Sequence, residues 1–352
     1  MVAIVPRVKV YLKQSPMTSR PGMASKVALI GAFDSEETNP VLVTGLDEAY
    51  EQLGDDKTFN GVSALDKLFF GASSILAVNT TTWTGSGDSK TADKTLTTAK
   101  LSEALAKIKG EDFDILYVAD NIADEALVII DSFLSESFEM KCPCGFVAGL
   151  TRANQSAYDT TATKAGNFCY GIITQQLDVN GETLSIIDSG AYYAGVIASL
   201  NVGNSMTMKA IPYVTGVTPE LSFENSGDGK ALLEKGFTTV KCQDRGSGRY
   251  IVVNSEQPNG YDLYINRVRD FVVKEMALHQ FLGERNRRAT ISEIEHELAS
   301  IKERCVNTLD LLENISYRVV KKDAQCVDIY IDSLVFAGII TQIDVYVRIE
   351  VE

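Results

Sequence analysis

The last residues of the chain alternate between apolar and polar side chains up to the final position. The apolar members of this series are Ile343, Val345, Val347, Ile349 and Val351. A period of two that is held this long predicts a half-buried β-strand. Chain ends fray unless something ties them down, so we expect this strand to be paired in a sheet.

The beginning of the chain shows the same pattern. After Pro6, the apolar residues Val8, Val10 and Leu12 alternate with Arg, Lys and Tyr. The stretch Lys13–Met23 is rich in Pro, Ser and Gly, which predicts an extended linker. Two strand-forming ends therefore pair either within one fold or with neighbouring copies of the chain.

The predicted fold class is α/β (α+β). From about residue 86 to about residue 205, helical and strand patterns alternate, which predicts an α/β module with a largely parallel sheet. Apolar runs such as Lys26–Phe33 and Ser74–Asn79 predict buried strands, and Thr183–Ile187 is a further strand candidate. The pattern of residues Tyr261–Leu282 predicts the longest helix. The stretch Thr80–Lys90 is predicted to be a linker between domains.

At 352 residues the chain is long enough for more than one domain. We predict an N-terminal arm and linker (1–23), an inner core domain (24–85 with 206–340), an outer α/β module (86–205) and a C-terminal strand (341–352).

The net charge of −14 argues against nucleic acid as a partner, because phosphate binding needs a basic surface. The charge is uneven: residues 261–322 carry +1, and the rest of the chain carries −15. No apolar run is long enough to predict a membrane span, and Val2–Val5 is too short for a signal-peptide core. We therefore expect synthesis and assembly in the cytoplasm.

Residues that could support catalysis or metal binding are sparse. His279 and His296 lie 17 positions apart in predicted helices, which disfavours a histidine-based metal centre or triad. Cys142 and Cys144 are the one close pair of cysteines, and the sequence has no second pair at metal-ligand spacing. The stretch Gly85–Thr91 resembles a phosphate loop, but its glycine spacing fails. No cofactor or metal is predicted from these residues.

Two charged clusters leave alternatives open. Asp112, Asp114, Asp120, Asp124 and Glu125 surround one predicted strand, where α/β enzymes often bind ligands. A cytosolic enzyme with a carboxylate metal site at Asp112–Glu125 is therefore an alternative function, although a solvated acidic rim explains the same residues. The basic cluster Arg285, Arg287 and Arg288 forms either a solvated loop or a docking patch.

Longer stretches resemble the contractile tail sheath proteins of phages and phage-tail-like bacteriocins. The similar stretches are VALIGAF, NPVLVTGLDEAYEQLG and ALDKLFFGASSILAVN, followed by GKALLEKGFTTV, HQFLGERNRR and VYVRIEVE. The resemblance extends from Lys26 to the end of the chain and is that of a compact member of the family.

This resemblance implies a structural subunit that is not an enzyme. Such subunits stack as helical rings around a tail tube, and donated terminal strands link them to their neighbours. The donated strands would be Val5–Leu12 and Ile343–Val351, and Arg285, Arg287 and Arg288 would contact the tube. The implied partners are other copies of the chain, the tube protein, and the baseplate and terminator proteins. The implied location is a bacterial host cytoplasm, followed by a released phage tail or bacteriocin particle.

Overall fold

The computed structural model of the protein describes residues 25–338 except 86–88, 225–226, 245–247, 282–283, 285 and 323–325. In chain order the strands are β1 (Lys26–Gly31), β2 (Val41–Val43), β3 (Ser74–Asn79), β4 (Thr82–Thr84), β5 (Thr91–Asp93), β6 (Ile115–Val118), β7 (Gly145–Gly149), β8 (Cys169–Ile173), β9 (Gln176–Val179), β10 (Glu182–Thr183), β11 (Val214–Thr218), β12 (Val240–Cys242), β13 (Tyr250–Val252), β14 (Asn314–Lys321) and β15 (Val327–Val335). The α-helices are α1 (Leu46–Leu53), α2 (Asn60–Leu68), α3 (Thr98–Lys107), α4 (Asp124–Glu139), α5 (Gln155–Lys164), α6 (Ile186–Ser199), α7 (Asp228–Leu233), α8 (Leu263–Glu275) and α9 (Arg288–Glu303). A 3-10 helix (His279–Phe281) follows α8, and a π-helix (Arg304–Thr308) continues α9.

Six strands form the central sheet in the order β2-β3-β1-β6-β7-β8. All neighbours in it are parallel except β2, which runs antiparallel to β3 at one edge. Successive residues of a strand point to opposite faces, so Val27 and Leu29 join one core and Ala28 and Ile30 join another. Both faces are covered, which explains why the sequence of β1 is a continuous apolar run.

Helices cover the sheet on its two faces. The buried residues of α1, α2 and α6 belong to the core on one face, and those of α3 and α4 belong to the core on the other. A third core lies between α8, α9 and the hairpin β14–β15, and it contains Val268, Leu298, Ile315 and Ile329. Near this third core, the Tyr170 hydroxyl on β8 donates a hydrogen bond of 2.8 Å to Asp270 on α8.

Helix α6 is buried over most of its length, and its glycines allow neighbouring backbones to approach closely. A Cβ atom on Gly190 would lie 2.4 Å from the amide nitrogen of Gly149 in β7. A Cβ atom on Gly195 would lie 2.3 Å from the carbonyl oxygen of Lys67 in α2. Any side chain at either position would collide with backbone, so glycine is required for this packing.

The central sheet includes strands from both sides of residue 86. Strand β1, from segment 24–85, pairs directly with β6, from segment 86–205, and β7 and β8 extend the same sheet. The two segments therefore share one hydrogen-bonded sheet. The predicted linker Thr80–Lys90 contributes to the hairpin β4–β5, in which the Trp83 ring donates a hydrogen bond of 2.9 Å to the Ser35 carbonyl.

Two predicted elements have different bounds in the structure. Of the predicted strand Thr183–Ile187, only Thr183 lies in a strand, at the end of β10. Ser185 caps α6: its hydroxyl accepts from the Asp188 amide at 3.1 Å and donates to the Asp188 carboxylate at 2.7 Å. The long helix predicted from Tyr261 begins at Leu263 and ends at Glu275. Within the described ranges, no helix is long and apolar enough to cross a membrane.

The glycine contacts of α6 predict an unusual response to Gly195→Ala. Alanine favours an isolated helix by about 1 kcal/mol relative to glycine, yet here its Cβ would overlap the α2 backbone. We expect the free energy of unfolding to fall by about 2 kcal/mol, as in other overpacked cores. Chemical denaturation followed by circular dichroism measures this change.

Gly45→Ala is the matched control, because a Cβ there would meet nothing within 4 Å. We expect it to cost less than about 1 kcal/mol, the usual effect of replacing an N-cap residue. Equal losses in the two variants would contradict the requirement for glycine in α6.

Candidate assembly surfaces

The hairpin β14–β15 is the described surface best suited to strand pairing. Its two strands are antiparallel from Asn314 opposite Val335 to Lys321 opposite Val327, with a bulge near Ser316. Ile315 and Ile329 are buried against α8 and α9. Among the described residues, no further strand pairs with either outer edge of this hairpin. Each edge therefore offers backbone amides and carbonyls to an added strand.

The outward face of the hairpin combines charge with exposed apolar area. Arg318 on β14 pairs with Asp332 on β15 at 3.0 Å, and its guanidinium lies 4.2 Å from the centre of the Tyr330 ring. Val320 and Val335 expose 37% and 40% of their surfaces. These contacts hold the two strands in register while leaving their edges accessible.

A groove of about 600 Å³ separates β15 from α8. Its lining is largely apolar and includes Phe138, Ile265, Val273, Ile331, Leu334 and Phe336. The described chain ends beside it, because the Tyr264 hydroxyl donates a hydrogen bond to the carbonyl of Ala337. We call this feature the β15–α8 groove.

The residues predicted to form the donated strands lie outside the described residues. These are Val8, Val10 and Leu12 at the start, and Ile343, Val345, Val347, Ile349 and Val351 at the end. The described chain stops at Gly338, three residues after β15. Their pairing stays a prediction.

The structure describes two of the three arginines predicted to contact the tube. Arg287 is the N-cap of α9 and Arg288 is its first residue, and both are exposed. Neither forms an ion pair with another described residue. The amino end of a helix carries positive partial charge, which makes it an unfavourable place for cations. Arg285 lies outside the described residues.

The five carboxylates of the enzyme alternative do not form one cluster. Asp112 and Asp114 precede β6, whereas Asp120, Asp124 and Glu125 follow it, so the two groups lie at opposite ends of the strand. Asp124 accepts hydrogen bonds from Arg152 at 3.0 Å and from Thr161 at 2.7 Å. Within the described ranges, no group of three or more His, Cys, Asp or Glu residues could hold a metal ion.

The carboxylates that precede β6 bind lysine. Lys274 on α8 lies 2.7 Å from Asp114 and 3.3 Å from Asp112, and it donates to the Phe113 carbonyl at 2.8 Å. Lys26 also pairs with Asp112 at 3.3 Å. Burial lowers the pKa of Lys274, but the two carboxylates raise it by more, so its pKa lies above the ordinary lysine value. The charged Lys274 thus joins the third core to the central sheet.

The start of α2 packs closely on the end of β1, near the place where α/β folds usually bind ligands. The strand order reverses between β1 and β6, so the expected crevice lies beyond their carboxyl ends. A Cβ atom on Gly31 there would lie 3.0 Å from Ala119 Cβ and 3.0 Å from Gly61 Cα. The start of α2 therefore approaches the end of β1 closely at this position, a contact that the sequence did not predict.

Among the described residues, histidine and cysteine do not take part in a metal-binding group. His296 is exposed on α9, and His279 lies in the short helix after α8. Cys142 and Cys144 are buried just before β7, and burial raises the pKa of the Cys144 thiol. A raised pKa keeps this thiol protonated and therefore poorly nucleophilic.

No protein-family profile matches the sequence, and no curated protein matches it either. Solved structures do match the fold. The sheath tail protein of Desulfitobacterium hafniense superposes with a TM-score of 0.70 at 11% identity, over 92% of this chain and 98% of that chain. The sheath tail protein of Listeria innocua gives 0.62 at 12% identity, over 90% and 96%.

A third match comes from an assembled particle. The helical sheath of the anti-feeding prophage in its contracted state gives a TM-score of 0.64 at 14% identity, over 99% of both chains. Such low identities establish the fold and nothing finer. The protein thus has an α/β sheath-type fold, which confirms the fold class that the sequence resemblance implied.

The position of Lys274 generates a stability prediction. Lys274→Met removes a largely buried cation. The two carboxylates that it binds would lose this partner, so we expect the free energy of unfolding to fall by about 2–3 kcal/mol. Denaturant titration measures the loss. Lys109→Met is the control, because Lys109 and Glu136 form a pair at 2.7 Å with about half of each side chain exposed.

An exposed pair such as Lys109–Glu136 contributes at most about 1 kcal/mol. Similar losses in the two variants would show that Lys274 does not join the third core to the sheet.

Proposed function

We propose that this protein is the structural subunit of a contractile tail sheath. Its copies polymerise as helical rings around a tail tube and contract from a metastable extended state, driving the tube through a target cell envelope. The observation that carries this proposal is the sheath-type fold over nearly the whole chain, matched to an assembled helical sheath over 99% of both chains. Motion of this kind needs no catalytic centre or cofactor in the subunit.

The hairpin β14–β15 is the receiving surface for strands donated by neighbouring subunits. Its two free edges suit one added strand each, supplied by Val5–Leu12 of one neighbour and Ile343–Val351 of another. Each backbone hydrogen bond contributes about 0.5–1.5 kcal/mol net. Five such bonds, with the burial of β-branched side chains, make a strong link between rigid bodies. The linker Lys13–Met23 then acts as a hinge during contraction.

The exposed arginines at the start of α9 serve as the contact with the tube. Cations are unfavourable at the amino end of a helix, so Arg287 and Arg288 weaken the isolated subunit slightly. An anionic partner surface would bind both guanidiniums and the positive end of the helix together. In this arrangement residues 261–322 face the tube, and the acidic segment 86–203 faces outward.

The remaining partners are the baseplate and the tail terminator, at the two ends of the sheath. Assembly takes place in a bacterial cytoplasm, and the finished tail belongs to a phage or to a bacteriocin particle. An enzyme with a carboxylate metal site at Asp112–Glu125 is disfavoured, because these carboxylates lie at opposite ends of β6 and those facing α8 bind lysine.

Tube formation tests the proposed function. We expect the overexpressed full chain to form long hollow tubes in negative-stain micrographs, in greater number when the tail-tube protein is co-expressed. Deletion of residues 1–12 should leave a folded body that forms no tubes, because one donated strand is missing. The unfolding transition of the truncated protein is the control for folding.

Tubes formed by the truncated protein would exclude donation of the N-terminal strand. Discrete particles from the full chain, with and without the tube protein, would exclude the sheath function.

Charge reversal tests the tube contact. We expect the double variant Arg287→Glu, Arg288→Glu to reduce the number of extended sheath–tube particles, because each substitution replaces attraction to an anionic surface with repulsion. In the wild type, the same contact should weaken as salt rises from about 0.1 to 1 M, since screening shortens the Debye length from about 10 to 3 Å.

Lys164→Glu is the control for overall charge, because Lys164 is exposed in the acidic segment proposed to face outward. It should leave particle numbers unchanged. Normal particle numbers in the double variant would rule out the arginines as the tube contact.

A further inference from the structure

The β15–α8 groove combines a largely apolar wall with a cation. Ile265 and Val273 from α8, and Ile331 and Leu334 from β15, form much of the wall. Arg269 also lines the groove from α8, and 24% of its side chain is exposed. The volume of about 600 Å³ lies within the usual range of small-molecule sites, about 300–1,000 Å³. The groove is therefore large enough to hold an apolar molecule against α8.

Aromatic rings and a carboxylate hold the Arg269 guanidinium in place. Its central carbon lies 5.6 Å from the centre of the Phe138 ring and 5.2 Å from the centre of the Phe168 ring. Its Nε donates a hydrogen bond of 2.8 Å to Asp270 Oδ1. A guanidinium that is already stacked and paired loses little freedom when it binds a further group, so this side chain is preorganised for a ligand.

The same guanidinium lacks hydrogen-bond acceptors. Its Nη2 is buried, and none of the described residues accepts a hydrogen bond from it. A buried donor without an acceptor is unfavourable, because it has lost its water and gained no partner. A carboxylate is the acceptor that suits the two terminal nitrogens, since guanidinium and carboxylate groups form paired hydrogen bonds.

The charges around the groove also favour an anion. The stretch Arg267–Asp270 carries two guanidiniums and one carboxylate, which leaves one positive charge in excess. Arg267 is buried and donates to two backbone carbonyl oxygens, at 2.9 and 3.1 Å. Asp332 also lines the groove, but it is paired with an arginine of β14 at 3.0 Å. The groove therefore suits a ligand that is negatively charged at one end.

We propose that the β15–α8 groove binds a small molecule with an apolar chain and a terminal carboxylate. The chain packs against the aliphatic side chains of α8 and β15, and the carboxylate accepts hydrogen bonds from Arg269. Burial of apolar surface supplies the affinity, and the charged hydrogen bonds supply the preference for a carboxylate over an uncharged head group. This binding site is separate from the proposed sheath function, because it uses neither the strand edges nor the tube contact.

Binding of decanoate to the dilute full-length protein tests the proposal. Isothermal titration calorimetry compares decanoate with decan-1-ol, which has the same chain length and no charge. We expect decanoate to bind at least about tenfold more tightly, because its hydrogen bonds to arginine are charge-assisted. Decanoate should also slow hydrogen–deuterium exchange in α8 and β15.

Three results with the wild type would each overturn the proposal. They are equal affinities for the two ligands, slowed exchange only in other elements, and no binding of decanoate. The last result is the one expected if a segment of the chain itself covers the groove.

Arg269→Gln tests the role of the guanidinium. We expect this variant to bind decanoate no more tightly than decan-1-ol, while the apolar wall still binds the alcohol. Lys164→Gln is the matched control, because it removes one positive charge from an exposed position of α5 and should keep the preference. Unfolding transitions check that both variants are folded. A tenfold preference kept by Arg269→Gln would overturn the assignment, and the wild-type comparison decides the proposal if that variant does not fold.

Discussion

The close approach of α6 to its neighbours is the constraint on which the rest of the body depends. Gly190 lets the helix lie directly on β7, and Gly195 lets α2 lie directly on the helix. Because α6 is buried between these elements, it fixes the distance between the sheet and its outer helices. Contacts between backbones cannot adjust as side chains can, so this side of the protein is a rigid block.

The start of α2 occupies the position where doubly wound sheets bind ligands, and the charged groups nearby are engaged with one another. Lys274, in the third core, is paired in the same way, because its ammonium group binds the carboxylates that precede β6. In the proposed sheath, the features that bind partners are the hairpin β14–β15 and the chain ends.

The hairpin β14–β15 differs from this rigid block in how little of it is packed. Only its inward side chains are packed, and its edges and the adjoining groove remain open among the described residues. In the proposed sheath, rigid bodies carry the mechanical load while added strands link them. A link made of backbone hydrogen bonds persists as bodies rotate, because it depends on strand pairing and not on the shape of the bodies.

The sequence by itself determined the strands with continuous apolar runs, such as β1 and β3, and the alternating pattern of the chain ends. It also led to the sheath-type fold through the resemblance of longer stretches. Tertiary structure alone decided that β1 pairs with β6, that Ser185 begins a helix, and that Asp112 and Asp120 lie at opposite ends of a strand. The physical reason is that hydrophobic periodicity shows only which face of one segment is buried. Strand order, close glycine contacts and ion pairs join segments that lie far apart in the chain.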